Sequence, residues 1–154
     1  MKKFKLPADL KFNNGRIEDP ESYFGESGCV SWLSLVGEEF AKMEGGLSFE
    51  QVQNVTPNAI NVVSDPPLTL NLELARQHVA ALDHLPRPTL VTCRTGPRAS
   101  AVAYMYAGLT ENADPDAVLQ AAEEVHAPFT KFEEYKEWVR SSIDSLRREG
   151  KMGI

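Results

Sequence analysis

The sequence predicts an α/β fold: three layers, α/β/α, around a mainly parallel sheet of four or five strands. Three observations predict it. Short apolar runs rich in β-formers recur at 29–36, 59–63 and 89–92. Stretches with apolar residues at helical spacing fall between and after them. Proline and glycine punctuation separates strand from helix, and parallel strands need such helical crossovers.

The elements follow in order. "LKFNNGRI" (10–17) opens as a strand and breaks at Asn14-Gly15, a strong turn signal. "DPESYFG" (19–25) is a short helix with Asp19 as cap and Pro20 at its first position. "CVSWLSLV" (29–36) is a buried strand with Trp32 in the core. "SFEQVQN" is a one- or two-turn helix capped by Ser48. "AINVV" (59–63) is a strand that "SDPP" (64–67) stops.

Leu70, Leu74, Val79, Leu82 and Leu85 recur at helical spacing, so 69–85 is a helix, capped by Thr69. "TLVT" (89–92) is a strand and 97–109 a helix. Two further helices cover 114–125 and 129–148, Phe132, Tyr135 and Trp138 docking the second, and the tail "EGKMGI" frays. There is no internal repeat and no linker, so 1–154 reads as one domain with its core at about 10–148.

Composition narrows the function. A chain of 154 residues with 42% hydrophobic content can bury a core. A net charge of −6 argues against nucleic acid as a partner, because phosphate backbones attract basic faces. No apolar run is long enough for a membrane span. "MKKFKLPADL" has lysines but no apolar core behind them, so it is not a secretory signal. Two cysteines are too few for a disulfide scaffold. The expected compartment is therefore reducing and cytoplasmic, with an organelle after removal of a transit peptide as the alternative. No histidine has ligand partners at metal spacing, and neither a metal nor a cofactor is expected.

The chemistry concentrates in "LVTCRTGPRAS" (90–100). An apolar strand ends in Cys93, and a helix starts near Pro97, where a missing N–H costs nothing. In a parallel sheet, ligands sit beyond the carboxyl ends of the strands. Backbone N–H groups at a helix start are unpaired and carry partial positive charge. A tight loop there, Cys93 to Arg98, can aim several amides at one anion. Gly96 permits unusual backbone angles, and Arg98 can fork two donors onto an oxyanion. The same field favours thiolate, the reactive form of cysteine. The bland alternative is a buried Cys93 acting as a small hydrophobe. Cys29 could serve as a resolving thiol, or be core. The Glu38–Glu39 pair could line the cleft, or be a solvated loop.

This stretch resembles the active-site segment of the phosphatase-like sulfurtransferases. That family is related to the domain fused in β-lactamase-hydrolase-like proteins and shares the fold of cysteine-based tyrosine and dual-specificity phosphatases. "GCVSWLSLV" and "INVVSDPPLTLNLELARQHVAALDHLPRPTLVTC" extend the likeness over about residues 10–110. The resemblance implies rhodanese-type transfer of sulfane sulfur through a Cys93 persulfide to a thiol or cyanide acceptor. Arg98 would orient an anionic donor such as thiosulfate or a persulfide. Arg94, Thr95, Gly96, Pro97, Ala99 and Ser100 would form the substrate loop, although Arg94 could equally be a solvent-facing charge.

Loop length favours sulfur transfer. Four residues separate Cys93 from Arg98, as in rhodaneses, whereas tyrosine phosphatases resemble this loop with five. Phosphatases commonly carry a hydroxyl just after the arginine and a histidine before the cysteine; here those positions are Ala99 and Thr92. The competing reading is a phosphatase acting on a phosphate ester, with Asp65 in "SDPPL" as the acid that protonates the leaving oxygen. Asp65 could instead be a turn residue ahead of Pro66-Pro67. A non-catalytic module that binds an anion or a partner is the third reading.

Overall fold

The computed structural model describes residues 3–37, 47–65 and 70–153, with the side chains of Ser64, Asp65 and residues 150–153 outside that description. Strands β1 (Leu10–Phe12), β2 (Ser31–Val36), β3 (Ala59–Asp65) and β4 (Thr89–Thr92) form one sheet in the order β1-β4-β2-β3. Every neighbouring pair is parallel. The helices are α1 (Pro20–Ser27), α2 (Phe49–Val55), α3 (Leu72–His84), α4 (Pro97–Thr110), α5 (Pro115–Glu124) and α6 (Glu133–Gly153). A 3-10 turn, Pro128–Lys131, precedes α6. The α/β class with a parallel sheet is as the sequence predicts.

Local signals place the helix starts. Asp19 accepts from the Ser22 N–H and Pro20 follows it. Ser48 and Gln51 form a reciprocal capping box at α2. Asp114 caps α5 ahead of Pro115. Three boundaries differ from expectation. Asn71, not Thr69, caps α3, its Oδ1 accepting from the Leu74 N–H at 2.8 Å; Thr69 itself lies outside the described residues. The helix expected over 129–148 is broken at Phe132, whose extended backbone separates the 3-10 turn from α6. The break lets Phe129 bury completely while Phe132 stays 40% exposed, so Phe132 does not dock the helix. The tail predicted to fray instead continues α6 to Gly153.

Alternation along the strands divides the core in two. Trp32 of β2 and Leu90 of β4 face one way, toward Ile17, Cys29 and Val52 under α1 and α2. Leu33, Leu35 and Val91 face the other way, toward Leu82, Val102, Met105, Phe129 and Val139 of the α3–α6 layer. Each such fully buried side chain contributes about 1.5–3 kcal/mol against exposure. The indole of Trp32 donates to Thr92 Oγ1 at 2.8 Å, tying β2 to the last residue of β4. Both tyrosines of α4, Tyr104 and Tyr106, are buried. Because β4 lies inside the sheet and all strands run one way, its carboxyl end opens at the middle of one sheet edge.

Candidate active site

Cys93 stands directly after β4, at that edge. Its Sγ accepts hydrogen bonds from the backbone N–H of Gly96 (3.1 Å) and of Ala99 (3.3 Å). The Cys93–Arg98 loop thus curls around the sulfur, with Pro97 opening α4. Gly96 has φ +120°, outside the range of ordinary side chains. A Cβ there would collide with the backbone oxygen of Asn13 and sit 3.2 Å from Pro128 Cγ. Only glycine closes this loop.

Arg98 is 2% exposed, though it carries a charge. Its Nη2 donates to Tyr135 Oη at 3.3 Å, and the guanidinium lies 5.6 Å from the Tyr135 ring centroid. Its Nε and Nη1 are buried without a hydrogen-bond partner among the described residues. A buried arginine with two unsatisfied donors is costly unless an anion receives them. His78, within α3, is fully buried and edge-on to Trp138. Burial, and then the charge of Arg98, hold its pKa down at about 3, so it stays neutral.

Cys93 and Arg98 line a cleft of about 850 Å³ with Arg94, Thr95 and Pro97. Its far wall is α6, with Glu134, Tyr135, Glu137 and Trp138, and Leu70 and Asn71 close one end. Arg94 and Thr95 are exposed at the mouth. Ser100 turns away from the thiol: its Oγ donates to Pro97 O (3.0 Å) and accepts from Phe129 N–H (3.1 Å). Ala99 reaches the thiol through its amide alone. Asp65 is the last residue of β3, in register with Val36, and its side chain lies outside the described residues. Glu38 and Glu39 lie outside them too. Among the described residues no cluster of His, Cys, Asp and Glu could hold a metal.

Two contributors escaped the sequence reading. Asn13, next to the turn signal Asn14-Gly15, is fully buried and clamps the backbone of Cys93. Tyr135 was read as a docking residue, yet it holds Arg98. Neither residue type nor spacing marks them, because both partners are distant in sequence.

The chain matches no family model and none of the curated proteins. Solved structures do resemble it. A DUF442 protein of Shewanella putrefaciens, carrying a provisional phosphatase designation, aligns over 94% of this chain and 92% of its own at 18% identity and TM-score 0.63. TpbA of P. aeruginosa aligns over 96% and 89%, at 16% identity and TM-score 0.56. A cysteine-to-serine variant of TpbA bound to phosphotyrosine gives 96% and 88%, at 15% identity and TM-score 0.56. No helix among the described residues is long and apolar enough to cross a membrane. The chain has a cysteine-phosphatase-like fold.

Proposed function

We propose that the protein is a cysteine-dependent phosphatase acting on a phosphate monoester. The observation that carries this reading is the pairing of Cys93 Sγ, under two loop amides, with Arg98 and its two unspent buried donors. In the reaction the Cys93 thiolate attacks phosphorus and the S–P bond forms as the ester P–O bond breaks. The leaving oxygen takes a proton, for which Asp65 at the end of β3 is the candidate donor. Water then cleaves the S–P bond, releasing inorganic phosphate and restoring the thiolate. Arg98 would fork onto two phosphoryl oxygens and the loop amides would stabilise the developing charge. The exposed Arg94 and Thr95 would meet the phosphoryl group at the mouth of the cleft.

The cleft supports an organic ester over a small inorganic sulfur donor, since about 850 Å³ is the scale of pockets that hold drug-sized molecules. Its aromatic wall, with Glu134 and Glu137, favours a single phosphoryl group on an apolar or amine-bearing body over a polyanion. The DUF442 protein with its phosphatase designation and the TpbA variant bound to phosphotyrosine are in keeping with this choice.

One observation favours sulfur transfer as a second reading. The four-residue loop places Ala99 after Arg98, and the Ser100 hydroxyl is committed elsewhere, so neither residue offers one to help the sulfur leave phosphorus. In that reading the Cys93 thiolate attacks the outer sulfur of thiosulfate, releasing sulfite, or of a persulfide, releasing its thiol, and cyanide or another thiol then takes that sulfur and restores the Cys93 thiolate. One preparation should be assayed for p-nitrophenyl phosphate hydrolysis and for thiocyanate formation from thiosulfate and cyanide. The expected result is aryl phosphate turnover that disappears in Cys93→Ser and falls in Asp65→Asn, with a phosphoryl adduct trapped on Cys93. Thiocyanate formation with a one-sulfur adduct on Cys93 would establish the second reading instead. The absence of both would leave an anion-binding module.

A further inference from the structure

Strand β1 stops at Phe12, which pairs with Val91 of β4. The backbone ladder ends there, but the pairing does not. The side-chain amide of Asn13 takes the place of a peptide group: its Oδ1 accepts from the Cys93 N–H at 3.1 Å, and its Nδ2 donates to Cys93 O at 2.9 Å. Nδ2 also donates to Gly15 O at 2.9 Å, and the Gly15 N–H donates to Thr95 O at 2.8 Å. The three bonds leave the Asn13 amide no alternative orientation, since both Nδ2 partners are carbonyls. The residue is completely buried. Its own backbone oxygen presses where a Gly96 Cβ would stand. One residue thus grips the candidate nucleophile and the middle of its loop.

We propose that Asn13 is a positioning residue that sets the polarity of the Cys93 cradle. The proposal rests on reading Cys93 as the nucleophile. Tying the Cys93 carbonyl to Nδ2 keeps that oxygen from rotating toward the sulfur. A rotated 93–94 peptide would turn a carbonyl dipole onto the thiolate and onto any bound oxyanion, and would remove an inward-facing amide. Asn13 touches neither the sulfur nor substrate. It acts through the main chain of Cys93.

The test measures how fast iodoacetamide alkylates Cys93 as a function of pH, read from the mass of the Cys93 peptide. Asn13→Asp keeps size and the acceptor but replaces the donor with an anionic oxygen. Asn13→Ala removes both. Lys11→Ala, an exposed change in the same strand, is the control. The expected result is a wild-type midpoint below that of an ordinary thiol. Both Asn13 variants should move it up by about one pH unit, or roughly tenfold slower reaction at neutral pH. Asn13→Asp should move it furthest, and Lys11→Ala should leave it in place. Folded Asn13 variants with the wild-type midpoint overturn the proposal. So does failure of both variants to fold while Lys11→Ala folds, which makes Asn13 structural only. An ordinary midpoint in the wild type overturns it together with the catalytic reading. A depressed wild-type midpoint without ester turnover removes the phosphatase reading alone, and the shift in the Asn13 variants then still supports the positioning role.

Discussion

The two cysteines of this chain form no disulfide and are almost equally buried, Cys29 at 7% exposure and Cys93 at 4%. Their surroundings differ. Cys29 lies among Ile17, Trp32 and Val52 on one face of the sheet. Cys93 lies at a strand end toward the other face, with two amides donating to its sulfur and Arg98 in the same cleft. Exposure therefore does not distinguish the two thiols; the donors around the sulfur do. The separation onto different faces also argues against Cys29 as a resolving thiol for Cys93.

The largest way to break this contrast is Arg98→Lys. Lysine keeps the charge but loses the planar fork, the stacking on Tyr135 and the two donors that are now unspent. We expect kcat/KM for an aryl phosphate to fall roughly 100- to 1000-fold, the scale of losing a preorganised oxyanion donor. Steady-state kinetics on the folded variant check this. A fall of less than threefold would mean that the guanidinium does not meet the transferred group.

The contrast was partly legible in the sequence. Cys93 was marked because charge, glycine, proline and a helix start crowd into six consecutive residues, and local chemistry of that kind survives without knowledge of the fold. Strand β4 fell at 89–92 as read, for the same reason: a short apolar run set off locally by Pro86 and Pro88. The functions of Asn13 and Tyr135 were not legible. Asn13 bonds a residue 80 positions away and Tyr135 one 37 positions away, and nothing near either in sequence signals the partner. The break at Phe132 was hidden because both sides of it have helical spacing. The proper cap of α3 was missed because Thr69 and Asn71 are both good caps. Asn71, which serves, also accepts from the distant Trp138, whose indole donates to Asn71 O at 2.9 Å.

His78 extends the contrast to a second buried titratable group. It is fully buried, and burial, followed by the charge of Arg98, holds its pKa from 6.5 down to about 3. The unfolded chain therefore binds a proton below pH 6.5 that the folded chain refuses until about pH 3. Stability is fully present above 6.5 and falls with pH through this window, by up to about 1.4 kcal/mol per pH unit from this group. His78→Gln removes the titration. Urea unfolding at pH 7, 6, 5 and 4 should show the variant losing less stability than the wild type at each step. Parallel curves would show that folding does not lower the pKa of His78.

Cys29→Ala is the gentlest probe of the comparison. Removing one sulfur from the cluster around Trp32 and Val52 should cost about 1 kcal/mol, the ordinary scale for a small core truncation. Turnover should change by less than about twofold, because the cluster reaches the candidate site through the sheet, as at the Trp32–Thr92 hydrogen bond. Native alkylation should still modify one thiol, and the modified peptide should contain Cys93. If Cys29→Ala instead abolished turnover with the fold intact, the two sulfurs would be working as a pair, and burial among hydrocarbon would no longer distinguish an inert cysteine from a catalytic one in this protein.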